Sequence, residues 1–329
     1  MTTALTRRAV AAGFAALPLA APPITARAAL PVVGRVERLD PALDALIAAD
    51  SPVELILDGF TWSEGPVWVG GSNGYLLASD VPGNRIMRWS PKTGGAVWLE
   101  PSGRGDANPI ALREAGTNGL IVARGGLVAA DSGNRCLARI DLATRRKTVL
   151  CASFEGRRFN SPNDLVLAPD GAIYFTDPPW GLKGDWTSPY REMDYFGVFR
   201  LAPDGQVSLV DKTLQPNGVG LSPDGRTLYV TDRPSGWVAF TLDAHGRAID
   251  RRQFVGRDTG IQDGDGLKVD RQGNLWASSK DGISIFTPQG RRLGVIRADD
   301  VISNCAFGAD GWLYMSSNHR LLRVRRRTR

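Results

Sequence analysis

Six polar residues recur in one local context along this chain: Glu64 in EGPVW, Asn118 in NGLIV, Asn163 in NDLVL, Asn217 in NGVGL, Asp265 in DGLKV and Asn304 in NCAFG. Each leads into an apolar stretch that ends in Asp or Ser about fourteen residues on: LLASD, LVAAD, IYFTD, LYVTD, LWASS and LYMSS. The polar residues are spaced by 54, 45, 54, 48 and 39 residues, the period of a four-stranded propeller blade. Repetition of that unit about an axis turns all six side chains towards one point. A ring of carboxylate and amide oxygens without histidine suits a hard divalent cation, with calcium the first expectation.

The elements needed to position such a ring are strands. After each polar signature the pattern predicts a second strand, a third such as RIMRW (85–89) or LLRVR (321–325), and in most units a fourth such as AVWLE (96–100). PDG turns at 169–171, 203–205 and 223–225 punctuate the series. The last unit has only three strands, so VELILDG (53–59) is expected to supply its fourth and close the ring. The fold class is therefore all-β: a six-bladed β-propeller with four-stranded blades over residues 51–329. Residues 29–50 read as an N-terminal extension with a short helix, its Leu39, Leu43, Leu46 and Ile47 on one side. Two connections exceed what blade geometry requires, 101–117 and 178–197. The second carries Trp180, Trp186, Tyr190 and Tyr195, and such loops commonly cover a binding site.

Thr6-Arg7-Arg8, a mildly apolar run to Ala21 and Ala26-Arg27-Ala28 read as an export leader of twin-arginine type, cut after Ala28. This predicts a periplasmic or secreted protein. The run is broken by Pro18 and followed by Pro22 and Pro23, too short to span a bilayer. The formal net charge is +6, but the leader holds three arginines and the last seven residues five more, so the body between is close to neutral. No basic stripe of the kind that nucleic acid requires is present. Cys136, Cys151 and Cys305 match no zinc spacing; Cys136 and Cys151 flank a predicted hairpin, which leaves a bridge between them open. The only histidines, His245 and His319, sit in turn-like contexts, and no nucleophile elbow, P-loop or dinucleotide fingerprint occurs. Any catalysis must use carboxylates, amides and a metal.

EGPVW (64–68), SPND (161–164), YFTDPPWGL (174–182), QPNGVGLSPDG (215–225) and DGLKVDRQGNLW (265–276) together resemble the senescence marker protein (regucalcin)/gluconolactonase family. The resemblance extends from about residue 50 to the end. It implies a six-bladed propeller with one divalent cation in an axial tunnel, held by Glu64, Asn163, Asn217 and Asp265. It implies hydrolysis of a small-molecule sugar lactone. Calcium is the expected ion, with zinc, manganese and magnesium as alternatives. Asp265 is the expected base that activates water, in preference to Asp263 two residues earlier. Asn118 and Asn304, at the equivalent position of the other two units, are expected to meet substrate hydroxyls or water, and Trp180 to stack on a sugar ring. Asp232 is a weaker candidate; Asp80, Asp131 and Asp177 are expected to cap turns.

The chain departs from the family pattern in three places. Asp131-Ser132 stands where many members have an acidic-His pair, Ser161 stands where the animal proteins have arginine, and the loop at 101–117 is longer. Two other readings remain open at this level: an ester or organophosphate hydrolase on the same metal, and a propeller that only binds a ligand.

Overall fold

A computed structural model describes Met1 and residues 29–106 and 111–327. The leader assigned to residues 1–28 and the centre of the 101–117 loop thus fall almost wholly outside the described residues. The protein is all-β. Four separate four-stranded antiparallel sheets follow one another along the chain. Sheet I contains Ser63–Val69, Tyr75–Asp80, Arg85–Ser90 and Gly94–Leu99. Sheet II contains Leu120–Ala123, Gly126–Asp131, Cys136–Ile140 and Lys147–Cys151. Sheet III contains Leu165–Leu167, Ile173–Asp177, Gly197–Leu201 and Val207–Asp211. Sheet IV contains Pro216–Leu221, Thr227–Asp232, Gly236–Leu242 and Ala248–Gly256.

The rest of the chain forms a nine-stranded sheet, sheet V, rather than two separate ones. One half runs from Leu267–Val269 outward to Arg292–Ala298; the other contains Asn304–Phe307, Trp312–Ser317 and Arg320–Arg325. Val53–Asp58 pairs antiparallel with Arg320–Arg325, supplying the fourth strand that the sequence lacks there. The extension differs from its reading. Val32–Arg38 is a strand, paired on one side with Arg292–Ala298 and on the other with Val53–Asp58, and this ribbon joins the two halves. The expected helix is a single 3₁₀ turn, Pro41–Ala45, capped by Asp40, whose Oδ1 accepts from Ala42 N at 2.8 Å. Of the residues assigned to its apolar side, Leu43 and Ile47 are fully buried while Leu39 is exposed. The period-3.6 pattern in so short a segment also serves a tight turn that buries two side chains.

Second strands are buried on both faces: Leu76, Leu77 and Ala78 have no exposure, nor do Leu127 to Ala130. The core consequently lies between sheets, not within one. Phe159, Phe175 and Phe199 interlock between sheets II and III, with ring centroids 5.2–5.5 Å apart. Trp68 of sheet I stacks on Tyr314 of sheet V at 5.1 Å and 10°, which packs the first sheet on the last.

The cysteine bridge left open by the sequence does not form: all three thiols are free. A bulge between Val149 and Cys151 sets Cys151 opposite Leu137, one residue out of register with Cys136. Burial pushes both thiols up to about 12.

Candidate metal and catalytic centre

The six repeated residues open the first strand of each unit. Glu64, Asn217 and Asn304 lie at the starts of theirs; Asn118, Asn163 and Asp265 stand two residues before. Their backbones are pinned across sheets. Ser79 Oγ of sheet I donates to Asn118 O at 2.7 Å, Thr176 Oγ1 of sheet III to Asn217 O at 2.6 Å, and Thr231 Oγ1 of sheet IV to Asp265 O at 2.7 Å. Ser303 Oγ donates to Ser63 O at 2.9 Å, so the last unit meets the first. In sheets I, III and IV, then, the hydroxyl that precedes the terminal Asp of the second strand fixes the polar residue of the following unit.

The glycine after the polar residue has a related cause. A Cβ on Gly119 would stand 2.6 Å from Asn163 O, and one on Gly65 would overlap Asn118 O. Neighbouring first strands come too close for any side chain there. The glycines of the Asn-Gly pairs at 118–119 and 217–218 are close-approach glycines.

Glu64, Asn118, Asn163, Asn217 and Asn304 are buried, and Asp265 is half-buried. Glu64 and Asp265 share one environment. Burial, reinforced by the Asp265 and Asp164 charges, pushes the Glu64 carboxyl well above its ordinary range. Burial also raises Asp265, to about 7, although Arg233 and the Asn217 side chain pull it down. Asn217 Oδ1 is buried with no hydrogen-bond partner. An orphaned carbonyl oxygen typically costs about 1–3 kcal/mol. Two repelling carboxylates beside an unsatisfied amide oxygen are a donor set that a hard divalent cation would satisfy, and Asn163 adds a second amide from the adjoining unit. Among the described residues no three His, Cys, Asp or Glu side chains gather as a metal site by themselves; the fit therefore depends on the amides.

Asn304 does not have the place expected for a substrate contact. It is 2% exposed and engaged at both ends: Oδ1 accepts from Lys268 Nζ at 3.1 Å and Cys305 N at 2.9 Å, while Nδ2 faces Glu64 Oε2 at 3.4 Å. Asn118 is buried against Gly65. Asp263 is exposed, with φ of 53°. The acids that end second strands receive backbone amides: Asp80 from Thr61 and Trp62, Asp177 from Asn160 and Ser161, Asp131 from Asn134, and Asp232 from Gln215.

Four residues near the centre escaped the sequence reading. Asp164, 3% exposed, has its Oδ2 3.3 Å from Lys268 Nζ. Asp164 interrupts the glycine that follows four of the six repeated residues, and Lys268 is the only charged residue three positions after one, so both carried a visible signal. Arg233 and Glu114 carried none. The Arg233 guanidinium lies 5.7 Å from the Trp180 ring centroid and is the leading charge acting on Asp265. Glu114, raised by burial, belongs to the 101–117 loop, which pairs with the 178–197 loop: Arg113 N donates to Gly181 O at 2.9 Å and Lys183 N to Ala111 O at 2.9 Å. Trp180 is half-buried, its ring edge-on to Trp186.

Residues 62–319 match the SMP-30/Gluconolactonase/LRE-like region. The chain belongs to this family. It is 43% identical over 312 residues to a gluconolactonase of Zymomonas mobilis, an alignment covering 90% of this chain and 87% of the relative. It is 27% identical to human regucalcin, over 77% of this chain and 81% of that one. A solved gluconolactonase structure from Xanthomonas campestris superposes with a TM-score of 0.79 at 34% identity, covering 92% of this chain and 99% of that chain. In this member of the SMP-30/gluconolactonase family Ser161 is tied to Asp177, Pro178 and Gly181, while a guanidinium, Arg233, reaches Asp265 from the turn after Thr227–Asp232.

Proposed function

We propose that the protein is a cation-dependent hydrolase that opens the ring of a sugar-acid lactone. The observation that carries the reading is the convergence of Glu64, Asp265 and the partnerless Asn217 Oδ1 in a family whose relatives include a gluconolactonase at 43% identity. The six four-strand units are read as the blades of a closed propeller, with the Val32–Arg38 ribbon joining two of them; the cross-sheet bond from Ser303 to Ser63 supports this.

Glu64, Asn163, Asn217 and Asp265 would hold the ion, calcium by the all-oxygen donor set. When bound it would supply a Lewis acid for the lactone carbonyl. Asp265 is half-buried and keeps some exposure through which water and substrate would reach it, and its carboxylate is the group that takes the proton of the attacking water. Arg233 faces the same carboxylate and offers a cation to the oxygen on which negative charge develops and to the carboxylate product. Trp180 beneath that guanidinium offers a flat surface to a sugar ring. Ring opening then leaves a hydroxyl and a carboxylate on one product. Export by a leader at residues 1–28, as the twin-arginine pattern reads, would carry this activity to the periplasm or outside the cell.

The test is hydrolysis of a panel of aldonolactones and aryl esters before and after chelation, with each divalent metal restored in turn. Lactone turnover that disappears with chelator and returns with calcium is expected. Turnover unchanged by complete removal of divalent ions would overturn the cation reading, and preference for esters the substrate reading.

A further inference from the structure

The most enclosed charged cluster at the centre is built from residues outside the expected ligand set. Asp164 Oδ2 lies 3.3 Å from Lys268 Nζ and 3.5 Å from Asn304 Nδ2. Lys268 Nζ donates onward to Asn304 Oδ1 at 3.1 Å and to Leu267 O at 2.9 Å. Asn304 Nδ2 in turn faces Glu64 Oε2 at 3.4 Å. The chain of contacts ends on a carboxylate already assigned to the cation. It cannot slacken easily: Asn304 packs against Gly266 so closely that a Cβ there would overlap its amide.

Asp164 lies close enough to act on both proposed ligand carboxylates: its charge, with that of Asp265, adds to the burial that raises Glu64, and it also raises Asp265. Lys268 is the cation that touches one of these three carboxylates, and the one it touches is not a proposed ligand. We propose that Lys268 is a positioning residue that sets the charge of the centre. By engaging Asp164 it leaves two carboxylates to attract a divalent ion, and through Asn304 it fixes the orientation of Glu64. This rests on the cation reading above. Removing one member of a buried pair exposes the charge of the other, so the two halves act on a nearby cation with opposite sign. Lys268→Met releases a third carboxylate towards the ion; Asp164→Asn releases an ammonium.

The experiment is calcium binding by titration calorimetry to the chelator-treated full chain, with Lys268→Met, Asp164→Asn, the double variant and Lys268→Arg. Partners behind metal ligands typically change affinity by about 10–100-fold. Asp164→Asn is expected to weaken binding about tenfold and Lys268→Met to tighten it about tenfold. The double variant should return to within a few-fold of the starting value, and Lys268→Arg should leave it unchanged and show that the site tolerates replacement. Single variants that shift affinity in the same direction, or not at all, overturn the proposal while the cation reading stands. A wild-type chain that binds no calcium, magnesium or manganese overturns the cation reading itself. Asp164→Asn is measured independently of Lys268→Met, so failure of either variant to fold leaves the other to decide the sign.

Discussion

The mouth and the floor of the centre each hold a cationic side chain and use it in opposite ways. At the mouth Arg233 is exposed, Trp180 half-buried, and the guanidinium lies over an aromatic face while its charge acts on Asp265. At the floor Asp164, Lys268 and Asn304 are largely enclosed and bonded to one another. Groups with open bonding capacity facing solvent are available to a ligand, whereas groups whose capacity is spent inside the protein can only hold geometry. Besides these stand Glu64, Asp265 and Asn217, buried or half-buried, two carboxylates raised by burial and an amide oxygen without a partner, the set proposed to hold the ion.

The comparison breaks most severely if this third set is altered. If Asp265 is both ligand and base, as proposed, Asp265→Asn removes a ligand charge and the proton acceptor, and kcat should fall about 10²–10⁴-fold, the usual worth of a general base. Raising calcium until binding saturates should not restore it. Glu64→Gln should respond to added calcium, because it weakens the ion without touching the base. Steady-state kinetics across a calcium titration separates the two; full activity of Asp265→Asn at saturating calcium would mean that another group accepts the proton.

Chelation comes next in size. If the ion binds the folded chain alone and is present at a hundred times its dissociation constant, its removal should lower unfolding free energy by about 2.7 kcal/mol. Urea denaturation with and without chelator measures this. Equal midpoints would mean that the orphaned Asn217 oxygen and the paired acids are tolerated without an ion.

Gly119→Ala tests the frame that holds both layers. Its Cβ would stand 2.6 Å from Asn163 O, a backbone atom that moves only with its strand. Overpacking of this kind typically costs about 1–3 kcal/mol. The loss should appear in urea midpoints, with calcium affinity reduced in parallel because Asn163 is displaced. Gly171→Ala, in a PDG turn with φ of 82° where a Cβ would meet only Pro203 Cγ at an ordinary 3.6 Å, should destabilise through backbone strain and leave calcium affinity intact.

The frame was more legible in the sequence than the mouth, and the reason is the repeat. Six copies of one unit report the same position six times, so Glu64 to Asn304 could be aligned without coordinates, and the missing fourth strand could be sought at 53–58. Deviations inside the repeat, Asp164 in place of glycine and Lys268 in an apolar position, carried equal information but were passed over in favour of the regularity. The strand at Val32–Arg38 was missed because it lies outside the repeat, and its role depends on pairing with Arg292–Ala298 from far along the chain. Arg233 and Glu114 meet Asp265 only through the fold, from loops with no periodic signal. For Asn304 the position was legible and its partners were not, since Lys268 and Glu64 reach the two ends of its amide only in the fold.

The smallest expected effect sharpens the contrast at the mouth. Trp180 is half-buried in the 178–197 loop, with Trp186 edge-on at 5.9 Å and Arg233 over its ring. If it stacks on substrate, Trp180→Ala should remove about 0.5–1.5 kcal/mol of binding, a rise in KM of roughly 2–12-fold. The change in kcat should be small, because stacking is made equally in the ground and transition states. Trp180→Phe keeps a flat face and should recover most of the loss. Calcium affinity should not move, since no ligand contacts the ring. A fall in kcat with KM unchanged would instead mean that Trp180 acts by placing Arg233 against the reacting oxygen, and the mouth would then share the floor's positioning role.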